Sequence, residues 1–199
     1  PKVFFIGFNK CGTASISRFL NDNGLKTCYW TYPRNGKRWN IALLMHHNIT
    51  VGRPILSGVD HYVGYTDLNC ITTDFLIEAC RYYQTLYRSY KDAYFVLNTR
   101  DADNWIRSRF AHGKGNFARL YRTALGCDNE ELERIWRHQF VRHHREVRNF
   151  FANRPASFLE FDIENDPPPL RQRRHGLWRR AVVDVDGAAV SGLRDCPGF

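Results

Sequence analysis

The sequence predicts an α/β domain in three layers, a central parallel sheet flanked by helices. Three observations carry that expectation. Short apolar runs alternate with amphipathic segments along most of the chain, as parallel strands joined by crossover helices require. The 199 residues are 43% hydrophobic and 15% aromatic, a composition that excludes a disordered or low-complexity chain. No apolar run approaches the roughly 18 residues a membrane-crossing helix needs, so no transmembrane segment is expected.

The elements follow in order. Residues 3–7 are a short apolar run ending in a glycine, and 13–23 read as a helix with Ile16, Phe19 and Leu20 on one face and Gly24 as its stop. Residues 25–30 fit a second strand. A second helix is expected over 38–48, where Trp39, Ala42, Leu43 and His46 recur at helical spacing. Residues 55–65 are strand-rich, interrupted by Gly58 and Gly64. Residues 74–90 read as one helix, because Phe75, Ala79, Tyr82 and Leu86 recur at four, three and four residues, with Thr73 or Asp74 as cap. An apolar strand over 93–98 leads into a helix starting between Asp101 and Asp103. Asp128 caps a long helix with Leu132, Ile135, Trp136, Phe140 and Val147 inward, and 157–163 form the last clear strand. After Asp166, three prolines open an arginine-rich stretch of poor periodicity. One domain over 1–167 is expected, with 168–199 a tail rather than a second domain.

Basic residues outnumber acidic ones by 29 to 20, a formal charge of +9 that suits a polyanionic ligand. Arginine, the better fork for phosphate oxygens, supplies most of them. The six cysteines show neither CxxC spacing nor histidines at metal-ligand spacing, so reduced thiols and no metal site are expected. The opening five residues read as a strand, not a signal peptide. A cytoplasmic location is expected, with a luminal fragment separated from its anchor as the alternative.

The strongest local signal is Gly7-Phe8-Asn9-Lys10-Cys11-Gly12-Thr13-Ala14-Ser15, set between the first strand and the first helix. Such a loop aims backbone N–H groups and a helix N-terminus at an anion, with Lys10 and the hydroxyls of Thr13 and Ser15 adding charge and donors. It is not a Walker A loop, in which the lysine directly follows the second glycine. The competing reading is an ordinary strand-turn-helix junction. Later, Arg100 closes a strand and Ser108 follows on the next helix. Taken alone, Arg100 would more often be a surface partner of Asp101 or Asp103.

The Lys10-x-Gly12-Thr13 order resembles the 5′-phosphosulfate loop of PAPS-dependent sulfotransferases, and residues 95–108 resemble that family's 3′-phosphate motif. Residues 158–167 are similar to its strand before an Asn-Pro turn. The resemblance covers residues 2–167 and implies a P-loop-like fold. It implies PAPS as donor, PAP as product, no metal, and a hydroxyl-bearing acceptor (small molecule, glycan, lipid or peptide). Asn9, Lys10, Cys11, Gly12, Thr13, Ala14 and Ser15 would hold the phosphosulfate, with Lys10 also catalytic. Arg100 and Ser108 would hold the 3′-phosphate. Two departures stand out. The family's second loop threonine is Ala14 here, with Ser15 as the neighbouring donor. Its glycine-rich basic stretch is not recognisable after Pro167, and Lys114 lies too close to Ser108 in sequence to replace it.

The base slot that the family fills with histidine or glutamate holds Asp67, with His61 and Asp60 as alternatives on the same segment. A turn-capping role for Asp67 stays open, as does a metal-ligand role in a magnesium-dependent kinase using ATP. A non-catalytic nucleotide- or nucleic-acid-binding protein is the third alternative, though no specific nucleic acid is expected. The run Arg142-His143-His144-Arg145 invites a metal, but adjacent histidines point to different sides of a helix, so a solvated face is the expectation. Tyr83, Tyr87 and Tyr90 are read as a packed helix face rather than a ligand platform.

Overall fold

Alternation along the first strand sets up the whole architecture. In β1 (Val3–Phe5) every residue is buried, Val3 and Phe5 facing one layer and Phe4 the other. A strand buried on both faces belongs at the centre of a parallel sheet. β1 accordingly pairs in parallel with β5 (Gly64–Thr66) on one side and β8 (Tyr94–Thr99) on the other. β2 (Thr27–Tyr29) and β9 (Phe158–Asp162) extend this to five parallel strands, in the order β2-β5-β1-β8-β9. The computed structural model describes residues 1–166, so the tail expected over 168–199 lies outside the described residues.

Helices cover both faces, the expected three-layer arrangement. α1 (Thr13–Asp22) packs Ile16 and Leu20 on Val3, Phe5, Val96 and Phe161. On the other face, α2 (Ile41–Thr50), α3 (Tyr83–Ser89) and the second half of α6 (Asn129–Phe151) enclose Phe4, Tyr65, Phe95 and Leu97. A third cluster joins Phe8 to Trp105, Tyr121, Trp136 and Phe140 of α4 (Ala102–Ala111), α5 (Asn116–Leu125) and α6. Fully burying one such side chain stabilises the fold by roughly 1.5–3 kcal/mol. Among the described residues no helix is long and apolar enough to cross a membrane.

Several local expectations are corrected. Residues 38–48 are not one helix. Lys37–Asn40 is strand β4, pairing antiparallel with β3 (Thr31–Arg34). Asn35 and Gly36 turn this hairpin with φ of 51° and 70°, the left-handed pair that a tight two-residue turn needs. Asn40 then caps α2, its side chain accepting from the Leu43 N–H at 2.9 Å. Residues 74–90 are likewise not one helix. The Thr72 hydroxyl accepts from the Asp74 and Phe75 N–H groups at 3.2 and 2.9 Å, closing a hairpin between β6 (Asn69–Ile71) and β7 (Leu76–Glu78). A 3₁₀ turn over Ala79–Tyr82 precedes α3, and Phe75 is left 47% exposed. Ile55, Leu56 and Val59 reach the core from turns, with β5 beginning only at Gly64. α5 was not expected.

The histidine pair is also corrected. His143 and His144 are buried, not solvated, because each ring N–H finds a backbone carbonyl. His143 Nε2 donates to Ile6 O at 2.7 Å, and His144 Nδ1 to Phe140 O at 2.8 Å. Desolvation lowers their pKa values to about 3 and about 4. Tyr83 and Tyr87 do pack inward, against Phe150 and Phe151.

Candidate active site

Of the residues singled out from the sequence, the loop of 7–15, Asp67 and Arg100 converge at the carboxyl ends of the parallel strands, where open α/β sheets hold ligands. The loop after β1 is held from beneath by Asn98 of β8. Asn98 Oδ1 accepts from the Gly7 N–H at 3.0 Å, and Asn98 Nδ2 donates to the Cys11 carbonyl at 2.7 Å. Gly7 is obligatory here, since a Cβ would lie 1.9 Å from the Asn98 carbonyl oxygen. Trp105 Nε1 donates to the Asn9 carbonyl at 2.9 Å from α4. Lys10 stands in the left-handed region with φ 68°, as does Gly12 at 76°. Gly12 gives α1 no side-chain cap, leaving the first-turn N–H groups as donors for an anion. Ala14 and Ser15 are exposed on that turn, and Cys11 is buried, its thiol pushed up to about 12 by desolvation.

Asp67 follows β5, which lies beside β1, so the register carries it to the loop. Its Oδ1 accepts from the Thr13 hydroxyl at 3.2 Å. Burial, opposed by the Thr13 hydrogen bond, raises its pKa to about 6. Lys10, Trp30 and Asp67 are three of the non-glycine residues with positive φ; Lys10 lies in the loop after β1, and Trp30 and Asp67 directly follow β2 and β5. Backbone strain is thus gathered along one rim of the sheet. His61 does not join this group. It precedes β5 at the opposite end of the strand, exposed, its ring tilted against that of Tyr62 with centroids 4.3 Å apart. Asp60 is also at that end, accepting from the Tyr90 hydroxyl at 2.7 Å.

Arg100 closes β8 beside the loop, its Nη1 donating to the Lys10 carbonyl at 3.2 Å. Its main partner is neither Asp101 nor Asp103 but Glu164, which accepts from Nε at 3.0 Å and also from Nη2. Ser108 is partly exposed on α4. Thr99, Arg100 and Asp101 also border a cleft of about 620 Å³ between α6 and the end of β9, with Arg145, Arg148 and Asp162 on its other walls.

A glycine loop at a helix N-terminus, a lysine and a carboxylate beside it, and an arginine at the neighbouring strand end accompany one further finding. A family model described as a sulfotransferase domain matches residues 2–154. The chain belongs to this sulfotransferase family. No curated protein matches it. Membership makes it a transferase domain of the sulfuryl-transferring class.

The sulfotransferase domain brings residues to the rim that the sequence did not single out. Asn69 donates from Nδ2 to Asp67 Oδ1 at 3.1 Å and takes a bond on its own carbonyl from Asn40 Nδ2 at 2.9 Å. Tyr29 lies at the end of β2; burial, and then the charge of Asp67, raises the phenol's pKa. Behind them Glu78, paired in register with Asn69, accepts from Arg109 Nη2 and the Tyr121 hydroxyl. Its charge adds to the upward push on Asp67. His112, at the end of α4, is lowered by desolvation and then by the nearby Lys10 charge. Asx pairs such as Asp67-x-Asn69 are a readable turn signal. The approach of Glu78 and His112 is long-range and has no local signature.

Proposed function

We propose that the domain transfers the sulfuryl group of PAPS to a hydroxyl or amine of an acceptor, releasing PAP. The observation that carries this reading is the Thr13–Asp67 hydrogen bond, which joins an anion-binding loop to a carboxylate suited to proton transfer. The uncapped first turn of α1 and the N–H groups of 9–15 receive the phosphosulfate, and Arg100 with Ser108 receives the 3′-phosphate. As the acceptor oxygen bonds to sulfur, the bond from sulfur to the 5′-phosphate oxygen breaks and its electron pair stays on PAP. Lys10 neutralises the charge gathering there, and Asp67 takes the acceptor's proton. With Oδ1 occupied by Thr13 and Asn69, a carboxylate of pKa about 6 is largely ionised at neutral pH and basic enough to act. His61, at the far end of its strand, has no part in this reading.

Radiolabelled PAPS offered with phenol, sugar, lipid and peptide acceptors tests the proposal. Asp67→Asn is expected to cut transfer by roughly 10²–10⁴-fold while PAP affinity holds within about twofold. In the wild type kcat/KM is expected to climb with pH through about 6, because the base works only when ionised. Transfer that ignores PAPS and requires ATP with magnesium overturns the reading in favour of a kinase.

A further inference from the structure

Glu164 is separated by 60 to 64 residues from the groups its carboxylate binds, yet four donors enclose it. Arg100 Nε donates to Oε1 at 3.0 Å and Arg100 Nη2 to the same oxygen. The Asp101 N–H donates to Oε2 at 3.0 Å, and Asn104 Nδ2 approaches both oxygens at 3.1 Å. The orientation of the Asn104 amide is settled by its other end, where Oδ1 accepts from Arg107. Every group bonded to the Glu164 carboxylate therefore presents N–H, while the neighbouring Asp162 carboxylate is turned to the Glu164 backbone N–H, from which it accepts at 2.9 Å. Burial pushes the Glu164 carboxyl up, but the hydrogen bonds from Asn104, Asp101 and Arg100 outweigh it and hold the group below the ordinary carboxylate range.

The site is not sealed. Arg100 and Glu164 side chains keep 21% and 24% of their exposure, and Thr99 to Ala102 border the cleft beside α6. An exposed pair of this kind contributes little to stability. A phosphate monoester brings a larger charge and three terminal oxygens to the same donors, against two oxygens and one charge on a carboxylate.

We infer that Glu164 is a resident competitor for the donor's 3′-phosphate, and that Asn104 and the Asp101 amide are further ligands of that phosphate once the glutamate is displaced. The inference rests on the donor reading above and deepens it. PAP entering the site breaks the Arg100–Glu164 pair, so the free energy of that pair is subtracted from every nucleotide carrying a 3′-phosphate. A nucleotide without one leaves the pair intact. Glu164 thus sets how strongly the domain distinguishes 3′-phosphorylated from plain nucleotides.

Calorimetry with PAP and with AMP, which lacks the 3′-phosphate, provides the test. Glu164→Gln is expected to tighten PAP by up to about fivefold while AMP changes less than about twofold. Glu164→Asp keeps the charge but is one methylene shorter, and is expected to tighten PAP by a smaller factor, about threefold. Misfolding does not produce a gain in affinity, so either gain is informative. In the Glu164→Gln background, Asn104→Ala is expected to weaken PAP about fivefold and leave AMP unchanged. If the wild type prefers PAP and Glu164→Gln leaves that preference unchanged or lowers it, the competition is disproved and the donor reading stands. If neither protein distinguishes PAP from AMP, the donor reading itself fails and this inference falls with it. A preference that emerges only in Glu164→Gln supports the competitor role in its strongest form.

Discussion

Arg100 and Arg109 lie on successive elements and each holds a distant glutamate, but their surroundings differ. The Arg109 and Glu78 side chains are 0% and 6% exposed, against 21% and 24% for Arg100 and Glu164. The Arg109 guanidinium lies 4.6 Å from the Trp105 ring and 4.7 Å from the Trp136 ring. Once two charges are buried, removing one leaves the other without water or partner, so the pair is fixed in place. Around Arg100 water and incoming anions can replace the glutamate at small cost. The same pair chemistry is therefore a structural pin in α4 and an exchangeable contact at its start. Solvent access decides which.

The largest effect that separates the two is expected from Glu78→Ala. Leaving Arg109 unpaired should cost about 3–5 kcal/mol in urea denaturation. Glu164→Ala should cost less than about 1 kcal/mol in the same measurement. Equal losses would erase the distinction between the pairs.

Acid sharpens the comparison next. His143 and His144 have folded pKa values of about 3 and about 4, below the ordinary 6.5. The unfolded chain thus binds more protons between those values, and stability that is complete above pH 6.5 is lost as pH falls. Between pH 7 and pH 5 the loss should be roughly 2 kcal/mol per histidine, read from urea midpoints across that range. Glu164 is depressed instead, so its contribution is intact above the ordinary carboxylate value and is lost only below it. Destabilisation at pH 5 should therefore disappear in a His143→Gln, His144→Gln double variant that still folds, and persist in Glu164→Gln. The smallest effect is expected at the surface pair of Arg148 and Glu160, where Arg148 Nε donates to Oε2 at 2.8 Å. Arg148→Ala should change stability by less than about 1 kcal/mol.

The legible parts of the sequence were those with local causes. The apolar run of β1, the loop glycines and Lys10 lie within fifteen residues, and Asp101 caps α4 through the Asn104 N–H at 2.9 Å as a short polar side chain should. Spacing misled where apolar residues from different elements fell into helical register. Phe75, Ala79 and Leu86 sit on a hairpin, a 3₁₀ turn and a helix. The Asn35-Gly36 pair was a hairpin signal that a competing helical pattern around Trp39 obscured. Glu78 and Glu164 reach their partners through strand pairing and a long return of the chain, which no local pattern reveals. The buried histidines depend on carbonyls supplied by Ile6 and Phe140, one local and one remote.

The Asn98 clamp under the loop has a thermodynamic consequence. By bonding both the Gly7 N–H and the Cys11 carbonyl, it holds both sides of the loop whether or not an anion is bound. The conformational entropy of ordering that loop is lost when the chain folds, not when a ligand arrives. Association at the loop is then close to rigid docking, with its enthalpy coming from donors already aimed. At Arg100, by contrast, one contact must be exchanged for another. The two halves of a nucleotide would therefore meet a preformed seat at the 5′ end and an occupied one at the 3′ end.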